Sequence, residues 1–144
     1  MITKVIEFDG VNLVVPISDA YISPSWYPTK AEHGKVVPTW NYEVVHLHGR
    51  LVAHDEADWT EQMVRDLTVL HEAPLPSPWS VDDAPADYIA QLMRGIVGVA
   101  LEVTRIDAKR KLSQNKSDTD VAGVVAGLAN SSSQRSEAVR QAML

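Results

Sequence analysis

The run 36–54 most constrains what this chain can fold into. It is rich in Val, Trp, Tyr and Thr and reads as one long extended segment. Alternate residues of a strand face opposite sides. Val36, Trp40, Tyr42, Val44, His46 and His48 then share one side; Val37, Thr39, Asn41, Val45 and Leu47 share the other. Neither side is purely apolar. Pro38 cannot donate to a central ladder, so a bulge or an edge position is expected there. Mixed faces with a bulge suit a small barrel that carries a ligand on one wall.

The rest of the chain supplies partners for that run. Residues 2–8 and 11–17 read as short strands. Asp9-Gly10 between them is a two-residue hairpin signal. Residues 20–23 are extended and 24–34 form a loop. At 55–71 the spacing turns helical, with Trp59, Met63, Leu67 and Leu70 on one stripe. Asp55, Glu56 and Asp58 stand at its start, where they would cap free N–H groups and suit the helix dipole. Residues 73–78 hold three prolines and form a loop. A helix at about 85–95 would bury Tyr88, Ile89, Leu92 and Met93. Pro85 is tolerated in its first turn. Residues 96–107 form a strand with Val97, Val99, Leu101 and Val103 inward. Helices at about 118–129 and 134–143 close the chain, the first burying Val121, Val124, Val125 and Leu128. Strands, helices, a strand and helices in that order give an α+β fold with an antiparallel barrel or sheet.

At 144 residues one domain is expected over 1–144. A net charge of −6 argues against bulk nucleic-acid binding through phosphate contacts. The absence of cysteine rules out disulfides and thiolate metal sites. Lys4, Glu7 and Asp9 interrupt the first ten residues, so these lack the apolar run of a signal peptide. No apolar run reaches membrane-spanning length, and a cytoplasmic protein is expected.

Three constellations carry chemistry. The first joins Ala20-Tyr21-Ile22-Ser23-Pro24-Ser25-Trp26-Tyr27-Pro28-Thr29-Lys30 to Val37-Pro38-Thr39-Trp40-Asn41-Tyr42. It holds two of the four Trp and three of the four Tyr, with hydroxyls, an amide and a lysine between them. Aromatic walls can stack on a flat ring system, and Ser23, Ser25, Thr29 and Lys30 can meet a phosphate. The same residues also read as a core strand followed by a solvated turn. The second constellation is Lys109-Arg110-Lys111-Leu112-Ser113-Gln114-Asn115-Lys116. It is either a phosphate or ring-edge grip or a solvated basic turn. The third is His46-Leu47-His48. Both imidazoles point one way, but a metal would need a third ligand from His33, His54 or Glu102. A hydrogen-bonded place in a sheet is the commoner outcome, and no metal is expected.

The order Ala20-Tyr21-Ile22-Ser23-Pro24-Ser25-Trp26-Tyr27, Val37-Pro38-Thr39-Trp40-Asn41-Tyr42, Val45-His46, His71-Glu72, Ala84-Pro85-Ala86-Asp87-Tyr88-Ile89, Gly95-Ile96-Val97-Gly98 and Lys111-Leu112-Ser113-Gln114-Asn115 resembles the PaiB family of FMN-binding negative transcriptional regulators. The likeness runs from about residue 20 to 129. It implies a split β-barrel related to the pyridoxamine-phosphate-oxidase and flavin-reductase folds, with C-terminal helices. It also implies FMN at a homodimer interface, and repression of protease production and sporulation of the kind found in bacilli. Carried over by motif, Ser23, Ser25, Trp26, Tyr27 and Lys30 would face the flavin or its phosphate. Thr39, Trp40, Asn41 and Tyr42 would line the neighbouring strand. Lys111, Ser113, Gln114 and Asn115 would complete the site.

Members of the family carry a substantial segment before the Tyr-Ile-Ser-Pro-Ser-Trp-Tyr motif, and a Gly-Pro just ahead of it. Here about twenty residues precede the motif, and 11–19 lack that Gly-Pro. The resemblance therefore implies an N-terminally truncated member with a partial barrel, in which the Asp-Gly hairpin at 2–17 replaces one missing edge. DNA as a partner follows from the resemblance alone, since no basic recognition helix is present. Two further readings stand beside the regulator. One is a split-barrel flavin-dependent oxidoreductase, with His46 and Tyr42 handling protons. The other is a remnant that binds flavin weakly or not at all.

Overall fold

The structure is a computed structural model, and it describes residues 6–144. Three strands form one sheet in the order β1-β2-β3: β1 is Ile6–Ile22, β2 Thr39–His54 and β3 Gly98–Lys111. Cross-strand partners fix the directions. Arg50 meets Glu7, His46 meets Asn12 and Glu43 meets Ser18, so β1 and β2 are antiparallel. Arg50 with Glu102, His48 with Asp107 and Thr39 with Lys111 make β2 and β3 antiparallel as well. The helices are α1 (Thr29–His33), α2 (Ala57–Glu72), α3 (Ala86–Met93), α4 (Asp118–Ala129) and α5 (Gln134–Met143). The class is therefore α+β, with an antiparallel sheet and helices at the C-terminal end. Among the described residues, no helix is long and apolar enough to cross a membrane.

Several local expectations change. Asp9-Gly10 is not a hairpin turn, because β1 runs through it without a break. The two-residue turn needs positive φ at both central residues. Gly10 has φ +70°, but Asp9 does not share it. Residues 2–5 of the expected hairpin lie outside the described residues. Pro38 falls just before Thr39, the first residue of β2, so its missing N–H costs no ladder bond and no bulge is needed. The expected loop 24–34 holds a 3-10 turn at Pro24–Trp26 and then α1, which ends at Gly34 with φ +66°.

The described residues gather into two compact units, and each strand contributes to both. Unit 1 holds the described residues 6–11 with 49–104. Its sheet segment is tied by Arg50, which bonds Glu7 at 2.7 Å and Glu102 at 2.6 Å from the middle strand. Gly49 is required beside it, since a Cβ there would overlap the Glu102 carbonyl. Trp59 of α2 stacks on His54 with centroids 4.0 Å apart, and Gly98 leaves room for its ring.

The expected apolar stripe of α2 is covered only in part. Trp59 and Met63 are half-buried, whereas Leu67 and Leu70 are exposed. Glu56 occupies the N-cap without a side-chain capping bond, and Asp58 alone stands in the first turn. In α3, Ile89 and Met93 are half-buried while Tyr88 and Leu92 are exposed; Pro85 is the N-cap, not a first-turn residue. Val97, Val99 and Val103 are exposed, not inward. Apolar alternation specifies a face, not what covers it.

Unit 2 holds residues 12–48 and 105–144. Its core is Ala20, Ile22, Tyr27, Leu112, Val124, Leu128 and Val139. β1 supplies it with period two, since Ser18, Ala20 and Ile22 are buried while Ile17 and Tyr21 are exposed. Helices α4 and α5 match their expected spans. Each begins at a serine N-cap, Ser117 for α4 and Ser133 for α5, whose hydroxyl accepts a backbone N–H of the first turn.

Candidate functional site

The residues expected at a flavin all fall in unit 2, as do His33, His46 and His48, whereas His54 and Glu102 fall in unit 1. The segment after β1 is pinned locally first. Ser23 caps the 3-10 turn by accepting from the Ser25 N–H at 3.2 Å. Lys30 reaches back one turn to donate to the Ser25 hydroxyl at 3.1 Å, and both side chains are exposed. Thr29 then joins this segment to α4. Its N–H donates to Asp120 at 3.2 Å, and its hydroxyl lies 2.9 and 3.0 Å from the two Asp120 oxygens. Asp120 is buried, as a carboxylate can be when it accepts this many bonds.

Trp26 takes a structural place. Gly123 and Gly127 lie one turn apart on α4, and a Cβ on either would overlap Trp26, at its carbonyl or at its indole. The ring therefore sits in a notch that only glycine leaves open. Gly-Val-Val-Ala-Gly in α4 is the sequence signal for it, legible only once the partner is known. Sequence reading also missed Asp120, whose N3 position in the helix looks like ordinary first-turn chemistry.

The turn after β3 meets β2 twice. Lys111 Nζ donates to the Thr39 hydroxyl at 2.5 Å. Asn41 donates to the Ser113 hydroxyl at 3.0 Å, and that hydroxyl faces the Asn41 carbonyl oxygen at 3.2 Å. Asn41 is fully buried, and its amide also lies 3.5 Å from the Met143 sulfur. Ser113 is the non-glycine residue with positive φ, at +64°, among the described residues. Such a conformation costs free energy and persists where surrounding contacts hold it. Gln114 closes the turn on itself, accepting from the Leu112 N–H at 2.7 Å and donating to the Arg110 carbonyl at 3.1 Å.

Tyr27 lies beneath this turn. It is 3% exposed, and its hydroxyl has no hydrogen-bond partner among the described residues. Burial raises its pKa above 10.0; nearby Ser113 pulls the other way and the Asp120 carboxylate adds to the rise. Lys116 Nζ stands 5.0 Å from the centre of the same ring.

The aromatic residues of β2 are more open. Trp40 is 53% exposed and meets Tyr21 edge-on at 6.2 Å, while Lys109 stands 6.0 Å from the Tyr42 ring. Asn115 is exposed. His46 lies 3.2 Å from the Asn12 amide, and His48 lies 3.0 Å from Asp107, both within the sheet. Two cavities, of about 440 and 380 Å³, occur in unit 2. Of the residues expected at a ligand, only Ser113 and Gln114 line one of them. The exposed donors and rings thus lie above buried Tyr27, Asn41 and Ser113, with Trp26 half-buried beside them.

Comparison with known proteins agrees with the reading of the motifs. Residues 2–105 match the family described as "Putative FMN-binding domain", and the chain belongs to that family. An uncharacterized protein of Aspergillus fumigatus is 35% identical over 122 residues, covering 74% of this chain and 47% of its own length. An uncharacterized protein of Emericella nidulans is 33% identical over 120 residues, covering 76% of this chain and 48% of its own. The protease synthase and sporulation protein PAI 2 of Bacillus subtilis is 33% identical over 114 residues, covering 77% and 51%. The chain spans about half the length of these curated relatives. They are fungal as well as bacterial, so the likeness does not confine the chain to bacteria. The family match stops at Arg105, and the Lys111–Asn115 turn lies beyond it.

Proposed function

We propose that this chain is the FMN-binding part of a PaiB-like regulator, a single split-barrel domain that works as a homodimer in the cytoplasm. The observation that carries the reading is the meeting of two distant motifs: Lys111 with Thr39 and Ser113 with Asn41, each pair 72 positions apart.

The donor set fits the cofactor. Lys30 with Ser25, and Lys111 with Thr39, are ammonium–hydroxyl pairs suited to a phosphate. Trp40 offers an exposed aromatic face for the ring system, with Tyr42 on the same strand. Gln114 and Asn115 carry the amide chemistry that ring edges need, and Ser23, Trp26, Tyr27, Asn41 and Ser113 hold these donors in place. When bound, FMN supplies electron-transfer chemistry of its own. The chain's part is to bind and orient it. A regulatory role rests on likeness to the Bacillus protein, whose name couples protease synthesis to sporulation. With a net charge of −6, contact with DNA would need a local basic surface or a partner protein.

Titration of the purified protein with FMN, followed by flavin fluorescence, tests the reading. Saturable binding is expected, weakened tenfold or more in Lys111→Ala and in Trp40→Ala. Absence of uptake by the folded protein would sink it. Steady NAD(P)H consumption by the loaded protein would replace the regulator with an oxidoreductase. A gel shift at physiological salt, against nonspecific DNA, separates direct operator binding from action through a partner.

A further inference from the structure

A cavity of about 710 Å³ lies in unit 1 between α2, the turn Val81–Asp83 and α3. That is the size of a small-molecule site. Its walls are mainly apolar, with Val81, Ile89, Met93 and Ile96 among them. Thr60, 3% exposed, adds a hydroxyl from α2.

The charges around it are unequal in what they are free to do. Arg65 is occupied, bonding Glu61 and Asp82 at 2.9 Å each. Arg94, the C-cap residue of α3, lines the same cavity and has no carboxylate partner among the described residues. One free guanidinium beside an apolar volume recognises a single anionic head on an apolar body. Asp55 also lines the cavity, with no ion-pair partner among the described residues, and it disfavours a second negative charge on the ligand.

We infer that this cavity binds a small apolar monocarboxylate, its hydrocarbon body against Val81, Ile89 and Met93 and its carboxylate on Arg94. None of the flavin contacts proposed for unit 2 lines it, so the two sites are tested separately.

Calorimetric titration of the intact protein with octanoate, in the absence of FMN, is the experiment. Saturable binding is expected, with affinity rising about twofold or more per methylene from butanoate to octanoate. It should weaken at least tenfold in Arg94→Ala, which removes the cation. It should weaken likewise in Ala90→Leu, which fills space from an exposed position on the cavity wall. Octylamine should bind at least tenfold more weakly than octanoate. Circular dichroism and FMN titration, unchanged in both variants, report that the fold is intact. No saturable octanoate binding, equal binding of octylamine, or affinity unmoved by both substitutions would overturn the inference.

Discussion

The indole of Trp26 occupies the space that a side chain at Gly127 would need. This contact joins the segment after β1 to α4 across about a hundred residues of sequence, and it fixes the position of the half-buried Trp26 ring.

Gly127→Ala is therefore expected to destabilise the protein, although alanine is the better helix former by about 1 kcal/mol. Overpacking against the indole costs about 1–3 kcal/mol, so a net loss of up to about 2 kcal/mol should appear in urea denaturation. In a Trp26→Ala background the same change should become neutral or stabilising. A stabilised Gly127→Ala in the wild-type background would show that the indole moves aside freely.

Asn41→Leu removes both bonds to the buried Ser113 hydroxyl. A loss of about 2–3 kcal/mol is expected. Ser113 is also held at φ +64°, so this change should speed proteolysis in the Lys111–Lys116 turn. A change under about 0.5 kcal/mol by denaturation would argue that the pair is incidental.

Tyr27→Phe should leave stability unchanged or raise it by up to about 1 kcal/mol, because the buried hydroxyl it removes has no partner. Its pH dependence has a defined sign. Burial raises the folded pKa above 10.0, so the unfolded chain loses this proton first as pH rises. Stability should fall with pH above about 10 in the wild type, and less steeply in Tyr27→Phe. Parallel denaturation curves at pH 9 and pH 11 would contradict this.

On α5, Glu137 accepts from Arg140 at 2.7 Å through both oxygens and from Gln141 at 2.7 Å. The Arg140 bonds first, and then Gln141, hold its carboxyl down from 4.5 to about 2. Its contribution to stability is present above the unfolded pKa and is lost as pH falls through about 2. Carboxyl chemical shifts followed by NMR should titrate near that value. Arg140→Ala should move the midpoint back toward 4.5, and an unshifted wild-type midpoint would mean the pair is broken in solution.

The sequence by itself determined the family, the α+β class, and the spans of α4 and α5. Those rest on local chemistry: periodicity and motifs read in order. It failed where a decision depended on distant partners. Asp9-Gly10 has the composition of a hairpin turn, yet only one of its residues takes positive φ, and β1 runs on as a single strand. Val97, Val99 and Val103 alternate as a buried strand should, yet they are exposed, because alternation cannot say what lies above it.

The candidate site divides the same way. Lys30, Thr39, Trp40 and Lys111 stand out in the sequence as candidates for a ligand, by residue type and by likeness to a family motif. Only the tertiary structure set Lys111 against Thr39, seated Ser113 in a left-handed turn on buried Asn41, enclosed the Tyr27 hydroxyl and gave Trp26 to the Gly123–Gly127 notch. The physical reason is separation along the chain. Residues 72 and 91 positions apart meet because the antiparallel strands and α4 bring them together, and no local propensity encodes that meeting.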